Sequence, residues 1–180
     1  VTVWARILHA HTGSRLFLKT NLLDKADQQQ KTRERFARLG ITPDRLILEG
    51  KSPRAQLLAS YHRVDIALDP FPYPGGTTSA EALWMGVPVI TRQGDRFLSR
   101  VGETIAHNAG MTDWIARDDD DYVRLATHFS QDLPALAALR TGLRARLRAA
   151  PLFDAARFAH HFAAALHDIA KQHRPEEHPA

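Results

Sequence analysis

The residues best suited to chemistry lie in one short stretch, 74–90, which reads PGGTTSAEALWMGVPVI. Gly75 and Gly76 come directly before two threonines at the start of a predicted helix. A helix N-terminus presents up to four unpaired backbone N–H groups and about half a positive elementary charge, which suits a phosphate. Glycines let an anion approach the backbone without a Cβ in the way. Because Thr77 and Thr78 add hydroxyl donors, the stretch predicts an anion-binding turn.

A carboxylate, Glu81, lies one turn deeper in the same helix, where it can accept hydrogen bonds from the vicinal hydroxyls of a ribose. The run TSAE at 78–81 also matches a capping box, in which Thr78 caps the helix and Glu81 reaches back. Capping explains those two residues, but not the paired glycines or the preceding loop PFPYP at 70–74. Spacing alone leaves both anion binding and simple capping open.

Strand and helix patterns alternate around this stretch. Apolar runs predict strands at 15–19, 45–49, 64–68 and 87–91, and helical patterns cover 1–10, 24–39, 53–61, 78–85 and 98–108. Strands separated by helices pair in parallel, because a right-handed crossover returns the chain to the same sheet. The sequence therefore predicts an α/β fold with a doubly wound, Rossmann-like parallel sheet. Ligands bind such sheets beyond the carboxyl ends of the strands, where the loop 70–76 is expected.

The pattern after Asp118 is wholly helical, with helices predicted at 120–131, 134–149 and 154–172. The last helix has an apolar stripe, and we expect part of this stripe to be exposed. Its members are Phe158, Phe162, Leu166 and Ile169. We expect one domain over 1–173 and a flexible tail over 174–180. The chain does not begin with methionine, and we interpret it as a piece of a longer protein.

Composition excludes several classes of protein. The 180 residues include no cysteine, which rules out disulfides, thiolate zinc sites and a cysteine nucleophile. No apolar run approaches the roughly 18 residues that a membrane span needs. The net charge of +4 is spread over several helices, so we expect no nucleic-acid partner and no membrane association. We expect a soluble, cytoplasmic protein.

Other clusters of polar residues have structural interpretations. We interpret Asp118–Asp121 as a helix cap, because acidic residues favour helix N-termini, and the ten histidines show no metal-binding spacing. Arg140, Arg144 and Arg148 form a basic stripe that we expect to be solvated. For Arg100, the sequence is consistent with either a structural role or a position facing a cleft. The residues expected in the core are Trp4, Leu83, Trp84 and Met85.

Four motifs occur in a fixed order along the chain: VDIALDP at 64–70, GGTT at 75–78, EALWMGVPV at 81–89 and SRVG at 99–102. This ordered set resembles the C-terminal catalytic half of the O-linked N-acetylglucosamine transferase (SPINDLY-like) family, and the similarity extends over roughly 4–162. One glycine–threonine turn is a weak signal, whereas the ordered set is specific. The resemblance implies the C-terminal lobe of a two-Rossmann-domain (GT-B type) glycosyltransferase.

Carried over by position, the resemblance assigns a role to each residue of the candidate site. The turn Gly76-Thr77-Thr78, beside Gly75, would hold the diphosphate of a nucleotide sugar, and Glu81 would contact the ribose. Ser52, through its backbone, and Arg54, through its side chain, match the place where the family reads the base. The family implies UDP-N-acetylglucosamine as donor, inverting transfer to Ser/Thr hydroxyls, no metal or other cofactor, and no catalytic residue in this chain.

Two positions depart from the pattern of the animal enzymes, which have histidine in place of Gly76 and Leu57. The plant SPINDLY relatives use a guanine nucleotide and fucose. A lobe specific for GDP-fucose and a non-catalytic Rossmann-like binding module therefore stay as alternatives. The family's phosphate-contacting lysine, its N-terminal lobe and its acceptor-binding tetratricopeptide repeats match nothing here. We expect this chain, which we take to be bacterial, to bind weakly and turn over nothing alone.

Overall fold

The computed structural model describes residues 1–172 and shows strands alternating with helices through most of the chain. The strands are β1 Leu16–Lys19, β2 Leu46–Glu49, β3 Ala67–Leu68, β4 Val89–Arg92 and β5 Ile115–Ala116. The helices are α1 Thr2–Ala10, α2 Ala26–Ala37, α3 Arg54–Ser60, α4 Thr77–Trp84, α5 Val101–Asn108, α6 Asp119–Gln131, α7 Leu133–Arg148 and α8 Ala155–Gln172. The predicted α/β architecture is confirmed. The tail predicted at 174–180 lies outside the described residues.

Every strand pair is parallel, as the alternation predicts. The strands form two sheets: β1 pairs with β2, and β4 lies between β3 and β5. Strand β4 is the most buried strand, because Val89, Ile90 and Thr91 are all buried. The sequence did not predict β5, because two residues are too short to show a strand period. Strand β3 is likewise shorter than the predicted run.

Two hydrophobic clusters hold the sheets. The larger surrounds β4 and includes the fully buried Ile90 and Leu143. The smaller packs Phe36 of α2 against β1 and β2. Trp4 and Leu68 contact both clusters, so the two sheets share one body. Leu83 is buried as predicted, whereas Trp84 and Met85 are partly exposed, so the prediction that these two lie in the core was wrong.

Arginines of α7 anchor the C-terminal end of α4. Arg140 Nε donates to the carbonyl oxygen of Gly86 at 3.2 Å, and Arg144 Nε donates to that of Trp84 at 2.8 Å. The guanidinium groups of Arg144 and Arg148 lie 5.4 and 5.8 Å from the Trp84 ring centroid. These contacts pair carbonyls that a helix end otherwise leaves unsatisfied. Arg144 and Arg148 are exposed, as predicted, whereas Arg140 is half-buried. The stripe is also a structural clamp on α4, a role that the sequence did not predict.

The acidic run at the start of α6 forms a cap, as predicted. Asp118 Oδ1 accepts from the backbone N–H of Asp121 at 2.8 Å, and Asp121 Oδ2 accepts from that of Arg117 at 3.1 Å. Hydrogen bonding to the Arg117 side chain holds the pKa of Asp121 well below its usual range. Among residues 1–172, no group of three or more His, Asp or Glu side chains is arranged to hold a metal ion.

Helix α8 has an exposed apolar face in the described part of the chain. None of its residues is buried, and Phe158 and Phe162 are 68% and 54% exposed. Their rings stack on each other with centroids 5.7 Å apart. The predicted exposure of this stripe is confirmed. No helix within the described part of the chain is long and apolar enough to cross a membrane.

Candidate functional site

The N-terminus of α4 is uncapped and faces the rim where β3 ends. The helix begins at Thr77, with Gly76 as its N-cap residue, and no side chain of the described residues makes a cap hydrogen bond there. The first backbone bond at this end runs from the N–H of Ala80 to the carbonyl of Gly76 at 3.1 Å. The N–H groups before Ala80 therefore point out of the helix. Thr77 and Thr78 are both exposed beside them.

The capping box considered for residues 78–81 does not form. Thr78 lies inside the first turn instead of at the N-cap position, because the helix starts two residues earlier, with Gly76 as the cap. Glu81 does not reach back to the backbone; its Oε1 accepts from Arg54 at 2.5 Å. The structure therefore contradicts the capping box, and anion binding by the turn stays a prediction.

A buried carboxylate that the sequence reasoning missed, Asp69, ties this turn to the sheet. Asp69 Oδ1 accepts from the N–H of Gly75 at 2.6 Å and from Ser79 Oγ at 3.0 Å. Its Oδ2 accepts from Thr91 Oγ1 at 2.9 Å. Burial raises the pKa of Asp69, although these three hydrogen bonds act in the opposite direction. The signal in the sequence was a carboxylate placed directly after an apolar strand and before a glycine pair.

The two glycines of the turn have different surroundings. A Cβ at Gly75 would lie 2.6 Å from Thr78 Oγ1, closer than real Cβ atoms come, and a tight 3.0 Å from Asp69 Oδ1. A Cβ at Gly76 would meet no other atom of residues 1–172 within 4 Å. Gly75 is therefore required by packing inside the protein, whereas Gly76 faces open space at the helix N-terminus.

The residues predicted to contact a base and a ribose lie next to this turn. Arg54, at the start of α3, and Glu81 form an ion pair, with side chains 62% and 12% exposed. The hydroxyl of Tyr61 donates to the Thr78 carbonyl at 3.2 Å, so α3 and the residues after it are fixed to α4. Burial, followed by the charge of Glu81, raises the pKa of Tyr61. Ser52 Oγ is buried and has no hydrogen-bond partner among residues 1–172.

Charged residues at the same rim are engaged in local contacts. The guanidinium of Arg92, at the end of β4, lies 4.8 Å from the Phe71 ring centroid, and its Nη1 lies 2.9 Å from Asp119 Oδ1. These contacts fix the loop that precedes the glycines. Arg100 Nε donates to Glu103 Oε2 at 3.1 Å, which favours the structural role of the two left open.

The predicted site residues thus lie at one edge of the sheets. The exposed N-terminus of α4 offers backbone N–H groups and two hydroxyls to an anion, and an arginine–carboxylate pair lies one turn along. Backbone N–H groups and hydroxyls in this arrangement bind phosphate without a permanent positive side chain. Chemically, such a site can hold a phosphorylated ligand and stabilise the negative charge on it.

Comparison with known proteins gives a consistent result. The glycosyl transferase family 41 model matches residues 1–162. The chain is 37% identical over 160 residues to a probable UDP-N-acetylglucosamine–peptide N-acetylglucosaminyltransferase SPINDLY of Petunia hybrida, covering 87% of this chain and 17% of that protein. It is 34% identical over 188 residues to the protein of the same description in Arabidopsis thaliana, covering 99% of this chain and 20% of that protein.

A solved structure is similar throughout. A mutant of the Thermobaculum terrenum O-GlcNAc transferase superposes with a TM-score of 0.86 and 36% identity, covering 92% of this chain and 32% of that chain. The chain therefore spans about a fifth of the length of the curated relatives and a third of the solved one. With the fold, the ordered motifs and the family match in agreement, the chain belongs to glycosyl transferase family 41.

Proposed function

We propose that this chain is the nucleotide-sugar-binding lobe of an inverting protein O-glycosyltransferase, which transfers N-acetylglucosamine from UDP-N-acetylglucosamine to Ser/Thr hydroxyls. The relatives that it matches are described as UDP-N-acetylglucosamine–peptide N-acetylglucosaminyltransferases. The observation that carries the proposal is the uncapped N-terminus of α4, open at Gly76, in a member of this family.

This lobe contributes to catalysis by electrostatic stabilisation. When an acceptor hydroxyl attacks the anomeric carbon, negative charge builds on the departing nucleoside diphosphate. The first-turn N–H groups of α4 and the hydroxyls of Thr77 and Thr78 stabilise that charge in place, without the need for a metal ion. The arginine clamp from α7 holds the opposite end of α4, so the donors do not have to reorganise as the charge develops.

The nucleoside extends from the turn toward α3. Glu81 faces the ribose, and its Oε1 is held by Arg54. Arg54 and the backbone of Ser52 contact the base in this proposal.

The remaining functions belong to parts of a longer protein. Because the chain spans about a fifth of its curated relatives, we assign acceptor binding to an N-terminal lobe and tetratricopeptide repeats outside it. We also propose that the protein acts in the cytoplasm. The lobe alone is expected to bind nucleotide weakly and to be inactive.

Titration calorimetry with UDP and GDP tests the proposal. UDP should bind, and the double variant Thr77→Ala/Thr78→Ala should weaken binding by about tenfold or more, since hydrogen bonds to charged groups contribute about 1.5–3 kcal/mol each. The matched control is Thr141→Ala on α7, an exposed threonine whose hydroxyl donates to the Ala137 carbonyl.

The outcomes separate the alternatives. Binding of GDP in preference to UDP contradicts the donor assignment and favours a GDP-sugar lobe. No heat with either nucleotide at millimolar concentration points to a non-catalytic module. Unchanged UDP affinity in the double threonine variant rejects the placement of the diphosphate on α4.

A further inference from the structure

Asp69 is the most heavily engaged polar side chain near the candidate site. Only 4% of its surface is exposed. Its carboxylate accepts hydrogen bonds from the turn, from α4 and from β4, through Gly75, Ser79 and Thr91. A buried carboxylate is costly unless it is hydrogen-bonded, and here three donors converge on it. The three elements that meet at the rim therefore share one acceptor group.

The contact with Gly75 determines which donors face outward. Asp69 Oδ1 takes the N–H of Gly75 at 2.6 Å, which directs that group back into the protein. The N–H groups of the next residues, at the start of α4, are left without a cap and face the rim. Without Asp69, the N–H of Gly75 would need another partner, and the backbone of the turn would be free to rotate.

The contact with Ser79 fixes the first turn of α4. Ser79 is the third residue of the helix, and its hydroxyl donates to Asp69 Oδ1 at 3.0 Å. This bond keeps the hydroxyl on the buried side, away from the N–H groups that face the rim. The hydroxyl of Thr78 lies against Gly75, only 2.6 Å from the place a Cβ would take there. The position of the turn therefore sets the position of the Thr78 hydroxyl.

Two neighbouring helices prevent the Asp69 segment from moving. The hydroxyl of Tyr122, from α6, donates to the Asp69 backbone carbonyl at 2.9 Å. Gly102, from α5, packs so closely that a Cβ there would come within 3.0 Å of both Asp69 Oδ2 and Thr91 Oγ1. The carboxylate is thus enclosed on the side opposite the turn, and its orientation is fixed by contacts that are remote in sequence.

We propose that Asp69 is the positioning residue of the site: by holding Gly75 and Ser79 from beneath, it aims the first-turn donors of α4 at the diphosphate. The inference rests on the proposed function and deepens it. Asp69 does not touch the ligand. Its role depends on hydrogen-bond geometry instead of charge, since an asparagine oxygen can accept from the same two donors and its amide can donate to Thr91.

The test measures UDP affinity of the full-length protein by calorimetry. Asp69→Ala should bind UDP about tenfold or more weakly, whereas Asp69→Asn should stay within about threefold of the unsubstituted protein. Uridine affinity, measured in parallel, should change little in either variant, because uridine lacks the diphosphate. A general structural defect would lower the affinity for both ligands and would not be rescued by asparagine.

The control is Asp121→Ala, which removes another buried carboxylate, 6% exposed, at the start of α6. It should lower thermal stability without changing UDP affinity. If Asp69→Ala does not fold, Ser79→Ala replaces it; this change keeps the Gly75 bond, and UDP binding about threefold weaker is expected.

The results distinguish the inference from the function on which it rests. If the unsubstituted protein binds UDP and the folded Asp69→Ala protein, or its Ser79→Ala replacement, binds it equally well, the positioning role is wrong and the function stands. If Asp69→Asn loses as much affinity as Asp69→Ala, the geometric account is overturned. If the unsubstituted protein binds no UDP, the proposed function fails, and the inference fails with it.

Discussion

Gly75 and Gly76 are neighbours of the same residue type, yet the protein uses them differently. Gly75 is packed against Ser79, Thr78 and Asp69, whereas a Cβ at Gly76 would have no neighbour within 4 Å in the described part of the chain. Neither glycine has a positive φ. The first glycine is therefore needed for the fold of the turn, and the second leaves open space at the helix N-terminus.

This contrast gives a prediction at the residue scale. Gly75→Ala should lower the free energy of unfolding by about 1–3 kcal/mol, because its Cβ displaces the Ser79 hydroxyl from a buried hydrogen bond. Gly76→Ala, the matched control, should change it by less than about 0.5 kcal/mol. Urea-induced unfolding measures both values. Equal effects of the two substitutions would show that the turn is not packed as described.

At the scale of elements, α4 is held at both ends by different partners. Asp69 and Tyr61 contact its first turn, and the arginines of α7 contact its last. The chain leaves the helix through Gly86, which has φ +78° and whose carbonyl accepts from Arg140. Only a glycine adopts that backbone conformation at little cost, so the exit from α4 and the clamp from α7 depend on each other.

The contact between α4 and α7 is tested by comparing substitutions at two glycines. Gly86→Ala should destabilise the protein by about 1–3 kcal/mol, because φ is positive and a Cβ would lie 3.0 Å from the Arg140 carbonyl oxygen. Gly142→Ala, inside α7 and with nothing within 4 Å, should stabilise it by about 0.5–1 kcal/mol. Thermal unfolding should therefore shift in opposite directions. A shift in the same direction would contradict the clamp geometry.

At the scale of the whole molecule, the core closes without α8. Both hydrophobic clusters are built from residues before 153, and no residue of α8 is buried. An isolated helix of this length is only marginally stable in water, because most helical stability comes from packing an apolar face. The stability of the described body is therefore expected to reside in residues 1–153.

Deletion of residues 155–180 tests whether the stability resides in residues 1–153. The free energy of unfolding should change by less than about 1 kcal/mol, because little apolar surface is uncovered. Leu147→Ala, which removes a side chain that is 0% exposed, serves as the reference and should cost about 2–5 kcal/mol. A loss on deletion as large as that of Leu147→Ala would mean that α8 packs on the core.

Local sequence was enough to determine the order of most elements, the parallel pairing and the glycine–threonine turn at the start of α4. Apolar periodicity indicates secondary structure over a few residues. A glycine pair before threonines indicates a turn whose following helix has no side-chain cap. The ordered motifs also predict nucleotide contacts for Glu81, Arg54 and Ser52, because family motifs preserve position along the chain, and these contacts stay predictions. Periodicity could not find β5, which is two residues long.

Tertiary structure alone decided what holds the site in place. Tyr122 and Asp69 are 53 residues apart, and Arg144 and Trp84 are 60 apart, so no local pattern predicts either hydrogen bond. The choice between a capping box and an open turn was settled in the same way: Glu81 pairs with Arg54, 27 residues earlier, and is not left to cap its own helix. Local propensity offers a side chain several partners, and packing determines which one lies within reach.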